Sequence, residues 1–153
     1  MTDIMLISGG TLIDGTGADP KPNTGIAVAG NQIIALGDEA TNLVNDPTTK
    51  EGTELNAAGK TIMPGLIDSH LHCSFDDVQS NDELFFHRDT TLVALVAAQN
   101  LRKMLRAGVT SFVDQDTSHG IGPALRDAVN AGVVQGPRIK TGVQALLTAV
   151  GGT

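Results

Sequence analysis

His70 and His72 stand one residue apart in Ile67-Asp68-Ser69-His70-Leu71-His72, and side chains of that type at that spacing can hold a metal ion. On an extended strand, residues i and i+2 share a face. Both imidazoles can then reach one ion, while Leu71 turns the other way into packing. Neutral imidazole suits Zn²⁺ and related divalent ions. Taken alone, a His-x-His pair is a common chance pairing, and the metal and surface readings weigh evenly. The pair's placement after an apolar run and the Pro64-Gly65 break moves the balance towards metal. Two imidazoles do not complete such a site, since a catalytic zinc keeps three protein ligands and an open position.

The other groups that could join them are Asp68, Asp76, Asp77, Asp114, Asp116 and His119. Asp68 shares the strand parity of the histidines and reads as a carboxylate supporting a ligand or packing below it. Asp114, at the end of a later strand, could contact substrate or support the ligands. Asp76, Asp77 and Asp116 read as solvated loop acids, and His119 before Gly120 as a solvent-facing residue. His87 reads as a loop or helix-start residue. Cys73 alternates away from His72 and reads as a buried thiol rather than a ligand. Gly15-Thr16-Gly17 lacks the Lys-Ser/Thr of a phosphate loop and precedes no helical pattern, so it is a turn.

The elements that would position these groups fall into two styles. Residues 1–62 read as short strands broken by turns: Ile4–Ile7 and Thr11–Ile13 around Gly9-Gly10, Ile26–Ala29 and Gln32–Leu36 around Gly30-Asn31, and a pair formed by Thr53–Asn56 and Lys60–Met63. Residues 37–52 read as irregular. From Pro64 the pattern alternates strand and helix. A strand over Ile62–His72 leads into an acidic loop, Cys73 to His87. A helix follows from Asp89 or Thr90 to about Ala107, with an apolar stripe of Ala94, Ala97, Ala98, Leu101, Met104 and Leu105, basic residues in its last turns and Gly108 as its stop. Val109–Val113 is a second strand, Pro123 to Gly132 a second helix, Arg138–Thr141 a third strand, and Gln144–Val150 either loop or short helix.

The chain has 153 residues and a net charge of −7, with an isoelectric point near 4.8. Its basic residues are scattered, which argues against a nucleic-acid or anionic-membrane partner. Aromatic content is 3% with no Trp or Tyr, so base- or sugar-stacking platforms are not expected. One cysteine allows no intrachain disulfide, the N-terminus has no basic leader, and no apolar run approaches membrane-spanning length. A cytoplasmic setting fits.

Met63-Pro64-Gly65-Leu66-Ile67-Asp68-Ser69-His70-Leu71-His72 resembles the "PGLID-x-H-x-H" metal-binding motif of the amidohydrolase superfamily. Gly9-Gly10-Thr11-Leu12-Ile13-Asp14-Gly15-Thr16-Gly17 resembles its N-terminal strand pair, and Ala107 to Asp114 its second barrel strand. Ala124 to Gly132 with Gly136-Pro137-Arg138-Ile139 is similar to its next helix and strand. The resemblance spans nearly the whole chain in order, and is nearest the branch with imidazolonepropionase-like and Xaa-Pro-dipeptidase-like members.

That resemblance implies an α/β fold: the N-terminal part of a TIM-like βα barrel, about three βα units over residues 63–153, preceded by a small β-sandwich-type element over residues 1–62. A complete barrel needs about 250 residues, so the chain reads as the N-terminal portion of a longer enzyme. The implied activity is hydrolysis of C–N bonds by water activated at one or two divalent ions, with Zn the first expectation. The implied substrate is a small amide, dipeptide or N-acyl amino acid, with a cyclic amide or imidazolone ring second, and the implied assembly is a homo-oligomer. His70 and His72 would be the metal ligands. The remaining ligands and the proton-transfer acid would lie beyond residue 153. Lys140 lacks the context of the superfamily's bridging lysine and is not given that role. The competing reading is a non-catalytic βα module that binds a ligand or partner through an open edge.

Overall fold

The computed structural model describes residues 3–46, 52–76 and 78–144, and the chain forms two compact units that divide after Pro64.

The N-terminal unit is one five-stranded sheet with a helix against it. β1 (Ile4–Leu12) lies inside, antiparallel to β2 (Lys21–Ala29), which pairs antiparallel with β3 (Gln32–Leu36). The Gly30-Asn31 hairpin turn forms as the sequence predicts, though Gly30 alone takes positive φ (61°). The two short strands expected around Gly9-Gly10 are one strand. Gly9, at φ 73°, absorbs the irregularity as a bulge, and pairing with β2 resumes at Gly10.

β4 (Glu54–Asn56) and β5 (Thr61–Ile62) do not pair with each other as expected. Each pairs parallel with β1, through Leu6↔Glu54 and Thr11↔Thr61. The turn between them keeps the chain on the same edge: Ala57 N donates to Ser8 O and Thr11 N to Lys60 O.

α1 (Asp38–Asn45) replaces the irregular stretch read from the sequence, and supplies the second layer where a second sheet was expected. Its Ala40 is fully buried and, with Leu43, packs on Leu6, Ala27 and Ala35. The missing signal has a physical cause: Gly37 stands at the N-cap with no side-chain hydrogen bond, so no capping residue announces the helix. Asp14 accepts from Thr16 N at 3.0 Å and Thr16 Oγ1 at 2.6 Å, which closes the turn ahead of Gly17 and holds the Asp14 carboxyl below its usual range.

The C-terminal unit is a three-stranded parallel sheet in sequential order: β6 (Leu66–Leu71), β7 (Val109–Asp114) and β8 (Arg138–Thr141). α2 (Thr90–Arg106) links β6 to β7, and α3 (Gly122–Asn130) links β7 to β8. β6 is shorter than expected. Pro64 has no N–H to donate, Met63–Gly65 fall outside any strand, and Ile62 belongs to β5. Gly65 is required for space: a Cβ there would collide with the Thr110 side chain.

Asp89 caps α2 by accepting from Thr91 N at 2.8 Å and Leu92 N at 3.3 Å. Gly108 ends it at φ 92°. The buried stripe is Val93, Ala97 and Leu101, so it runs four residues at a time and leaves Leu105 40% exposed, contrary to the stripe read from the sequence. Leu101 and Ala97 pack with Cys73, Phe112, Leu125 and Ile139 to form this unit's core. A five-residue π-helical turn, Glu83–His87, interrupts the expected long loop. No helix among the described residues is long and apolar enough to cross a membrane.

Candidate functional site

The polar groups of interest gather where β6 and β7 end. Parallel register pairs Leu71 with Asp114, so the residues after each strand meet. His70 is in the last turn of pleat of β6 and His72 directly follows it. Their ring centres are 5.2 Å apart. His70 is exposed, whereas the His72 side chain is 30% exposed and held on several sides.

His72 Nδ1 faces Asp116 twice. The main-chain carbonyl of Asp116 is the aligned acceptor at 3.4 Å, and carboxylate Oδ1 sits at 2.6 Å, off the hydrogen-bond line. One face of the His72 ring stacks on Phe75, with centres 4.6 Å apart and planes 9° from parallel. Phe85 meets Phe75 edge-on at 5.5 Å. The loop bearing Phe75 is fastened by Asn100, whose Nδ2 donates to Cys73 O at 3.1 Å and Phe75 O at 2.9 Å.

Asp114 is fully buried. Its Oδ2 accepts from Cys73 Sγ at 3.1 Å, and its Oδ1 has no hydrogen-bond partner among the described residues. Burial raises its pKa above the ordinary carboxylate value; the Cys73 hydrogen bonds and the nearby His72 oppose that rise. Burial, reinforced by the Asp114 charge, pushes the Cys73 thiol far above its usual range. Cys73 is a buried thiol as expected, though β6 ends at Leu71 and it is the turn after the strand, not strand parity, that places it.

Several candidates are placed differently from their sequence readings. Asp116 and Asp76 are not free solvated acids: Asp116 lies on His72, and Asp76 pairs with Arg88 at 2.9 Å. Asp68 turns back to accept from the main-chain N–H of His70 at 3.0 Å instead of supporting an imidazole. His119 is exposed, but its Nε2 lies 3.0 Å from Arg88 O. His87 pairs with Asp82 at 2.8 Å on the surface. Lys140 lies exposed on β8. Asp77 lies outside the described residues. No cluster of three or more His, Cys, Asp or Glu that could hold a metal occurs among the described residues. Asn100, Gln115 and Arg88 carried no signal in the sequence, because their roles are contacts across long stretches of chain.

A sequence profile of the amidohydrolase family matches residues 61–146, more than half of the chain. The imidazolonepropionase of Halobacterium salinarum is 35% identical over 57 residues, covering 37% of this chain and 14% of that protein. Ochratoxinase of Aspergillus niger is 29% identical over 153 residues, covering 97% of this chain and 30% of that protein. The crystal structure of a Xaa-Pro dipeptidase with bound methionine in its active site superposes with a TM-score of 0.79 at 26% identity, covering 94% of this chain and 34% of that one. The chain thus spans about a third or less of these proteins' lengths. The motif run from Met63 to His72, the parallel βαβαβ order and the matched profile agree, and the chain belongs to the amidohydrolase family.

Proposed function

We propose that this chain is the N-terminal portion of a metal-dependent hydrolase of C–N bonds, with His70 and His72 as two of its metal ligands. The observation that carries the reading is the pairing of the two imidazoles at the end of β6. Two imidazoles on one tetrahedral ion, with metal–nitrogen bonds of about 2.0–2.1 Å, have ring centres about 5 Å apart, and the observed separation is 5.2 Å. The donor set fits a divalent ion, Zn²⁺ first, as part of a site. His72 Nδ1 is turned to Asp116, which leaves Nε2 for the ion. A bound divalent ion supplies Lewis acidity towards water and towards an amide carbonyl.

This chain's own residues hold the two donors, and Phe75 with Phe85 shields one side of His72 from water. The further ligands and the acid that protonates the leaving nitrogen lie in later segments. Residues 1–62 are the accessory β domain and 63–153 the first βα units of a barrel. Ile67 at 73% exposure and Leu66 at 49% support that reading, since apolar side chains on a strand are ordinarily covered by neighbours. Likeness to a Xaa-Pro dipeptidase favours a dipeptide or N-acyl amino acid substrate, and the full-length enzyme is a cytoplasmic homo-oligomer.

Elemental analysis of the full-length protein tests the ligand assignment. His70→Ala and His72→Ala should each strip most bound metal and most activity, while Leu71→Val leaves metal content near the parent value. Full metal occupancy in the double histidine variant would end the assignment.

A further inference from the structure

The run Asp114-Gln115-Asp116 grips the segment that bears the two histidines, residue against residue. Gln115 N donates to Leu71 O at 3.1 Å, and Gln115 Nε2 to Ser69 O at 3.0 Å. Asp114 Oδ2 receives the Cys73 thiol at 3.1 Å. Asp116 completes the series at His72 Nδ1, with its carbonyl at 3.4 Å and its carboxylate at 2.6 Å. The parallel pairing Leu71↔Asp114 brings the two strand ends together, and beyond it the contacts cross, Asp114 reaching Cys73 and Asp116 reaching His72. Two acids two residues apart meet consecutive residues of the turn that follows β6.

We propose that Asp116 is a positioning residue for His72: it fixes the imidazole tautomer and the ring's direction, so that Nε2 is presented to the cation. The proposal rests on the reading of His70 and His72 as ligands. The aligned carbonyl acceptor on Nδ1, with the carboxylate's negative charge 2.6 Å away, favours the proton there and leaves the Nε2 lone pair for a metal. Stacking on Phe75, planes 9° apart, restrains the same ring on its face, so edge and face are both held. A solvent-bathed contact would contribute little, but the Asp116 side chain is only 22% exposed and the His72 side chain 30%. His70 has no such carboxylate support among the described residues: its ring meets the His72 ring edge-on, and Asp68 accepts from the His70 main chain rather than from the ring. The two ligands are thus unequal, one pre-set and one free to adjust.

The test is a titration of Zn²⁺ into metal-free full-length protein in competition with a chromogenic chelator, alongside the visible spectrum of the Co²⁺-loaded form. Asp116→Ala should weaken Zn²⁺ binding about 10- to 100-fold, and Asp116→Asn, which keeps the shape but not the charge, should weaken it less. At saturating Co²⁺ both variants should retain the parent spectrum, because the donors themselves are intact. Should Asp116→Ala fail to fold, Asp116→Asn carries the test. Parent-like Zn²⁺ affinity in every Asp116 variant, with binding lost in His72→Ala, would overturn the positioning role and leave the ligand reading standing. A Co²⁺ spectrum showing one ligand fewer in Asp116→Ala would make Asp116 a direct donor and overturn it too. Parent-like Zn²⁺ affinity in both His70→Ala and His72→Ala would instead remove the ligand reading, and the proposal with it.

Discussion

The two units solve burial in opposite ways. Among the described residues, the N-terminal unit buries one polar side chain, Thr24, whose hydroxyl donates to Lys21 O three residues away. The C-terminal unit buries Ser74, Asp114, Thr117 and Ser118, all beyond or at the ends of its strands. Burying a polar group without full compensation costs free energy, so their concentration at one end of one sheet marks where the fold holds polar groups inside. The apolar interiors differ as well. Leu6, Ala27, Ala35 and Ala40 make a core of mostly small residues, whereas Phe112, Leu101, Leu125 and Ile139 make a core of large ones.

That contrast predicts different vulnerabilities. The largest effect should come from removing volume in the C-terminal unit: Leu101→Ala, at a fully buried position, should cost about 2–5 kcal/mol of stability. Denaturant unfolding measures it, and a loss below about 1 kcal/mol would mean that this core collapses around cavities. In the N-terminal unit the alanines of the cluster under α1 leave little room to add volume. Ala27→Leu, on β2 against α1 and at 0% exposure, should cost about 1–3 kcal/mol through overpacking. A stabilised Ala27→Leu variant would erase the distinction between the two cores.

The smallest effects sharpen the polar side of the comparison through pH. The Asp114 pKa is raised by burial, so the native state holds its proton more tightly than the unfolded chain. Stability from this group is therefore greatest below the unfolded pKa of about 3.9 and declines as pH rises through the raised native value. Asp89 has the opposite sign. Its pKa is lowered by the hydrogen bonds from Thr91 and Leu92, so the cap stabilises above the unfolded value and is lost as pH falls through the lowered native one. Plotting parent-minus-variant stability against pH should give a falling curve for Asp114→Asn and a rising one for Asp89→Ala. Parallel slopes would mean that the two carboxyls do not differ in burial as described.

The elements legible in the sequence were those whose determinants are local. Asp89 and its receiving amides lie within three residues, Gly108 ends α2 where a left-handed residue is needed, and the His70-x-His72 spacing follows from strand pleat alone. α1 escaped notice because its N-cap is Gly37 and its stability comes from packing on Leu6, Ala27 and Ala35 rather than from a cap. The pairing of β4 and β5 with β1 escaped because short strands carry no record of which partner they choose. Asp116 looked like a solvated acid because nothing within a few residues of it announces His72, 44 positions away. Sequence by itself determined which side chains can do chemistry and which local elements carry them. Tertiary structure decided which carboxylates meet which histidine, because that depends on the parallel register of two strands joined by a 17-residue helix.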